Sequence, residues 1–275
     1  VWEAKEMSGF LGVVSILLLA LLLPRPATAE SYREATVSNG GALKGKITFS
    51  GTVPPPQVFK ISNFPDQDFC KKVSDGKGNR IIQPVQVGKG GGLENVVVVI
   101  ENLHSGKPFH FDGTQVNVEH CEFLVQGGSS VLSGVMVNRT NFRVLNLDSN
   151  PANPKEVMGV THNPQGFEIE GKQKRMMFNF LIATKGQNSK RTVKLNRMDG
   201  YVSVVCNIHD YMRVYFLPVD NPYYSIVGHG GTYSIDQIPP GKYKVTAWNP
   251  ALGRIRKEVD VLPGKTAELD FNFKD

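Results

Sequence analysis

The chain has little of what most enzymes and membrane proteins carry. Its 275 residues contain three cysteines. There is no pair of Cys-x-x-Cys motifs, no Gly-x-Ser-x-Gly elbow, no phosphate-binding P-loop and no His-Glu-x-x-His. With no such motif to build on, no catalytic residue is assigned and the chain is expected not to be an enzyme. Long apolar runs are equally scarce. Phe10 to Leu23 is one, and as a helix it reaches about 21 Å, short of the roughly 30 Å hydrocarbon core, so no retained membrane span is expected. Pro24-Arg25-Pro26 and then Ala27-Thr28-Ala29 follow it, the form of a secretory signal cleaved after Ala29. That predicts a periplasmic or extracellular protein. Val1 to Glu6 is net acidic where such signals begin basic; a start at Met7 would remove the acidic residues but still carry little positive charge, and no cysteine follows the run to carry a lipid.

The formal net charge is +6, and within residues 1 to 29 Glu3 and Glu6 cancel Lys5 and Arg25, so the remainder keeps it. Local peaks are Gly171-Lys172-Gln173-Lys174-Arg175 and Arg254-Ile255-Arg256-Lys257. Neither has interleaved aromatics or a recognised reading motif, so nucleic acid is not an expected partner. An anionic protein surface fits a basic face better.

Secondary structure reads as all-β. Short runs rich in Val, Ile, Phe and Thr recur at Ala42 to Phe49, Asn95 to Ile100, Val116 to Val118, Val131 to Val137, Phe142 to Leu147, Arg191 to Leu195 and Tyr201 to Cys206. The 28 glycines and 17 prolines punctuate them, and no amphipathic helix is sustained. Packed antiparallel sheets are therefore expected. Pro54 to Gly91 and Asp148 to Gln165 read as long loops, a length that usually serves function.

The most informative segment is Cys206-Asn207-Ile208-His209-Asp210-Tyr211-Met212, placed directly after the alternating run Tyr201 to Val205. A strand delivers Cys206 at its end, a tight turn returns His209 beside it, and Met212 follows three residues later. Thiolate, imidazole and thioether together are the donors of a His₂Cys copper site with a weak axial Met. Such a site needs a second imidazole.

Tyr201 to Met212 resembles the ligand loop of the cupredoxins, in the short Cys-x-x-His-x-x-Met form of amicyanin-type and methylamine-utilisation-type proteins. In that family the remaining histidine lies upstream, after an Asn-x-Asp segment and before an Asn. Asn146-Leu147-Asp148 and Thr161-His162-Asn163 match those features, which makes His162 the ligand the resemblance implies. The stretch between them is longer than the family's and holds Pro151, Pro154 and Gly159. Counted from the family's His-Asn-Val-His instead, the ligand position falls on Gly159 and the site is broken. The resemblance implies one type 1 copper ion held by His162, Cys206, His209 and Met212, with the edge of His209 as the port for electrons.

With Cys206 given to copper, Cys70 and Cys121 remain, and an oxidising compartment favours a bridge between them. The alternative pairs Cys206 and abolishes copper binding. His104, His110, His120 and His229 read as surface residues scattered among turns, His120 standing beside Cys121.

A second resemblance covers the C-terminal part. Gly231 to Trp248, with Ile238-Pro239-Pro240-Gly241 turning between two strands, resembles the carboxypeptidase-regulatory-like, transthyretin-like (prealbumin-like) β-sandwich. Tyr223 to Asp275 is short for that fold, and Gly45 to Gly51 and Gly92 to Ile100 resemble its opening strands. The expected organisation is a signal at 1–29, opening strands within 30–112, a cupredoxin-like Greek-key sandwich inserted at 113–219, and closing strands at 220–275. Three β units in a linear row are the alternative. The resulting expectation is an exported electron-transfer protein whose basic face docks a redox partner with an acidic face, such as a c-type cytochrome or another envelope subunit. A metal-free structural or binding subunit on the same scaffold is the other reading.

Overall fold

The computed structural model describes residues 31–125, 132–149, 158–196 and 198–274; the expected signal at 1–29, the start of the expected strand at Val131, and Pro151 and Pro154 lie outside them. The structure is nearly all β, as expected from composition, and is built as two sandwiches.

The first sandwich packs a five-stranded sheet on a four-stranded one. The former runs Gln173–Asn179, Pro164–Glu170, Tyr201–Cys206, Arg213–Val219, Ser133–Val137, and the latter Asn188–Thr192, Asn141–Asn146, Thr114–Glu119, Glu122–Leu124. Each sheet contains one parallel pair, Arg213–Val219 with Ser133–Val137 and Asn141–Asn146 with Thr114–Glu119. Alternation explains why these residues are strands. Asn141–Asn146 buries every second residue, which places Phe142 and Val144 inside. Phe142 stacks on Phe178 with ring centres 4.6 Å apart and meets Phe216 edge-on at 5.4 Å. Full burial of each such ring contributes about 1.5–3 kcal/mol.

In the second sandwich, Tyr224–Val227, Val96–Ile100, Gly241–Asn249 and Gly253–Val261 form one sheet. The other holds Thr232–Ile238 and Gly41–Phe49, with Thr266–Glu268 and Phe271–Phe273 both pairing parallel to Gly41–Phe49. Strands from the two ends of the chain therefore share hydrogen bonds: Leu43 is opposite Ile235 and Val98 opposite Ala247. Gly45 is where the Leu269 carbonyl crosses the sheet, and a Cβ there would lie 2.1 Å from that oxygen. A third apolar cluster of Val97, Val99, Val135, Leu217, Val219 and Trp248 joins the two sandwiches.

The sequence reads Pro54 to Gly91 as a loop, yet it contains the hairpin Gln57–Lys60 with Asn79–Ile82 and a short helix, Gln67–Cys70. Both elements are only four residues long, too short to show a period. The Asp75 carboxylate, which accepts the Lys77 and Asn79 N–H groups at 2.8 and 3.0 Å, shapes the turn before Asn79. Likewise, the region from Asp148 to Gln165 includes the strand Met158–His162, paired with Ile182–Thr184. Among the described residues, no helix is long and apolar enough to cross a membrane.

Candidate metal centre

Two neighbouring strands of the five-stranded sheet set the site. Pro164 is opposite Cys206, so the residues just before Pro164 lie beside the end of Tyr201–Cys206. The chain then turns through 207–212. Met212 N–H donates to the His209 carbonyl at 2.8 Å, Cys206 N–H to the Met212 carbonyl at 3.1 Å, and Asn207 N–H to the Asn163 carbonyl at 3.0 Å. These three bonds fold Cys206, His209 and Met212 onto one end of the sandwich and tie that loop to Asn163.

One donor atom each from His162, Cys206 and His209 lies within 4.8 Å of the others. His162 and His209 are fully buried, their ring centres 5.0 Å apart, and Met212 is buried in the same apolar cluster as Cys206. Gly159 stands elsewhere, on a strand where an added Cβ would meet the Asp148 carbonyl at 2.8 Å. Its backbone is packed against the backbone of Asp148, Ala183 and Lys185, and it has no side chain to offer as a ligand.

The hydrogen bonds of the two imidazoles define which nitrogen is free. His162 Nε2–H donates to Asp148 Oδ2 at 2.9 Å, and His162 Nδ1 is buried without a partner. His209 Nε2–H donates to the Pro65 carbonyl at 3.3 Å, which leaves a lone pair on Nδ1, 3.9 Å from Cys206 Sγ. Burial pushes the Cys206 thiol up, but the neighbouring His162 and His209 imidazoles and the Asn163 N–H at 3.4 Å more than offset it and bring the group down to about 6. Burial disfavours the charged form of His162, and Asp148 and Cys206 together outweigh that, so its pKa is raised. The donor set fits a copper ion on its chemistry: two imidazoles with one nitrogen each already committed, a soft sulfur held toward the thiolate form, and an unpartnered buried nitrogen.

His209 differs from the expected electron port. Its edge is fully buried because the helix Gln67–Cys70 and the turn before it lie over it, with Cys70 Sγ 3.8 Å from Nε2. Cys70 is bridged to Cys121, and Cys206 is the free thiol. His120 is exposed and reaches the site through its backbone N–H, which donates to Asp148 Oδ1.

Sequence reasoning leaves Asp148 and Pro65 without roles. Asp148 enters only through the Asn-x-Asp segment, although a carboxylate upstream of a candidate ligand histidine can serve as the partner that orients that ligand. For Pro65, a backbone acceptor distant in sequence, no sequence signal exists. The basic peaks are partly structural. Arg175 is paired with Glu168, and Arg254 donates to the Asp199 and Gly200 carbonyls at 2.6 and 2.7 Å, anchoring the chain just before the strand that ends in Cys206.

A scan of protein-family profiles and a search of curated sequences give no match. Among solved structures the chain is similar to the copper-containing nitrite reductase of Thermus scotoductus SA-01, at 14% identity and a TM-score of 0.27, over 42% of this chain and 24% of that one. The chain thus spans about a quarter of that protein's length. It is also similar to amicyanin from Paracoccus versutus, at 17% identity and a TM-score of 0.28, over 40% of this chain and 85% of that one. A purple cupredoxin from Nitrosopumilus maritimus matches at 18% identity and a TM-score of 0.27, over 38% of this chain and 99% of that one. At such identities and scores, none of them lends this chain a function.

Proposed function

We propose that the chain is an exported electron-transfer protein with one type 1 copper ion held by His162, Cys206 and His209, and by Met212 as a weak axial donor. The observation that carries this reading is the buried Nδ1 of His162, which has no hydrogen-bond partner while Nε2 of the same ring is committed to Asp148. An unsatisfied buried nitrogen costs about 1–3 kcal/mol, a cost that metal ligation removes and that a metal-free scaffold has no reason to retain. When bound, copper supplies a one-electron couple at this position. The chain's own residues hold the ligands still: Asp148 and Pro65 fix both imidazole rings, the Asn163 N–H bonds the thiolate, and the surrounding core excludes water. A rigid, dry donor set of this kind suits electron transfer without bond making. Export agrees with the buried disulfide. Exposed Lys172 and Lys174, more than Arg175 or Arg254, are the residues to receive an acidic redox partner such as a c-type cytochrome.

Copper(II) added to the purified protein should give an intense thiolate-to-copper band, absent in Cys206→Ser. His162→Ala should disturb it as strongly as His209→Ala. A protein that stays colourless after reconstitution defeats the reading and leaves a metal-free binding subunit; an unaltered spectrum in His162→Ala shows that another residue is the upstream ligand.

A further inference from the structure

The remote nitrogens of both ligand imidazoles lead to the same disulfide. On one side, Cys70 Sγ lies 3.8 Å from His209 Nε2, and Cys70 ends the short helix that follows Pro65, the acceptor of the His209 N–H. Pro65 is itself exposed, so a single layer of chain separates the buried His209 from solvent. Phe64 seals its flank, edge-on to Tyr211 with ring centres 5.0 Å apart. On the other side, Cys121 sits with His120 in a turn whose φ values are 60° and 54°. Both backbone N–H groups of that turn donate to the Asp148 carboxylate that accepts the His162 N–H. One covalent bond thus closes a ring of contacts running from His209 through Cys70, Cys121 and Asp148 to His162.

We propose that the Cys70–Cys121 disulfide is a redox-operated seal on the metal centre: oxidised, it holds the 57–82 segment over His209 and positions both imidazoles; reduced, it opens the His209 side to small ligands. This rests on the copper reading above. The chemistry is thiol–disulfide exchange with an external dithiol that reaches the buried sulfurs during local opening of the 57–82 segment; the dithiol gives up two electrons and two protons and becomes a disulfide as Cys70 and Cys121 become thiols. Beyond the bridge, the cover is held by Ile61 and Phe69, buried in the first core, by Phe59 against Tyr211 and by the Arg80–Glu122 ion pair, while its own backbone pairing is slight. The hairpin Gln57–Lys60 with Asn79–Ile82 forms a two-stranded sheet of its own and exposes Val58 and Ile81. A pair of short strands alone is marginal in water. The helix Gln67–Cys70 has a single turn, and no side chain caps it.

The test compares azide binding to the metal-loaded full-length protein with the bridge present and absent. In the oxidised copper(II) protein, azide should leave the thiolate band unchanged. In the Cys70→Ser/Cys121→Ser variant azide should add its own charge-transfer band and shift the thiolate band, and metal affinity should fall by about 10- to 100-fold, the usual effect of losing the groups that orient a ligand. Because that variant can fail to fold, the second measurement begins from oxidised wild-type protein loaded with cobalt(II), which a phosphine reductant leaves in the same oxidation state. Azide-dependent changes in the cobalt bands should then appear in step with two new thiols, counted after a denaturing quench. Two thiols without any change in azide response overturn the proposal, and so does a bridge that neither a phosphine nor a dithiol reduces in the folded protein. An oxidised protein that binds neither copper nor cobalt refutes the metal reading itself, an outcome distinct from a metal-loaded protein indifferent to its disulfide.

Discussion

Asp148 and His162 form a buried pair, Oδ2 to Nε2 at 2.9 Å, and the same carboxylate oxygen accepts the Cys121 N–H at 2.9 Å. The carboxylate therefore orients a ligand ring and anchors the disulfide turn together. Removing it in Asp148→Ala should weaken metal binding by about 10- to 100-fold, read by competition with a chelator of known affinity. Asp148→Asn, which keeps an acceptor oxygen, should lose less. Equal affinity in wild type and Asp148→Ala would show that the pair does not position His162.

Cys206 in the metal-free protein should form its thiolate near pH 6, against an ordinary value of 9.0. The sign follows from the lowered folded value: this group contributes stability that is full above the unfolded pKa and is lost as pH falls through the folded one. A titration of thiolate ultraviolet absorption checks it. A midpoint near 9 would mean that burial cancels the effect of His162, His209 and the Asn163 N–H.

Met212 is buried beside Cys206, while its backbone already closes the loop through both N–H and carbonyl. Met212→Leu should leave the loop folded and the copper protein coloured, with a raised reduction potential, because the axial donor tunes the couple more than it holds the ion. Voltammetry decides this; loss of colour would make Met212 an essential ligand.

Glu101 links the strand pair of the second sandwich, bonding Thr246 and accepting Arg256 Nε at 3.0 Å. Burial pushes its carboxyl up, and the Thr246 and Arg256 bonds together bring it below the ordinary value. Its contribution to stability is thus present above the usual glutamate range and lost as pH falls through the lowered folded value. Glu101→Gln should flatten the acid side of the melting-temperature profile and leave its slope near neutral pH unchanged.

A fragment of residues 220–275 should not fold. Thr232–Ile238 would lose its partner Gly41–Phe49, and Gly241–Asn249 would lose Val96–Ile100, exposing unpaired edges and the apolar face they cover. Dispersed amide signals with cooperative melting of the isolated fragment would refute this.

The all-β class was legible because strands such as Asn141–Asn146 alternate cleanly and Gly and Pro mark their ends. The loop from Cys206 to Met212 was legible because its donors are local in sequence. His162 was reached through a resemblance, since its proximity to Cys206 depends on the pairing of Pro164 with Cys206, and pairing register is not written in either strand alone. The cover over His209 was not legible at all. It depends on Pro65, whose contribution is a backbone carbonyl that any residue type supplies, and on a one-turn helix with no periodicity. The same holds for Gln173–Asn179, whose run of exposed residues gives no alternation to read.

Val96–Ile100 carries five consecutive buried residues, with Val96, Val98 and Ile100 in one apolar core and Val97 and Val99 in the cluster shared with Val135, Leu217 and Trp248. A single strand is thus a common wall for two rooms. It has no outward face on which a polar residue is cheap, and any change of side-chain volume along it presses on one room or the other. Leu217 and Val219, at the far end of the strand that leaves the Met212 turn, belong to that shared wall. The metal loop is therefore braced from behind by the second sandwich, which supplies no ligand and yet helps determine how little the ligands can shift.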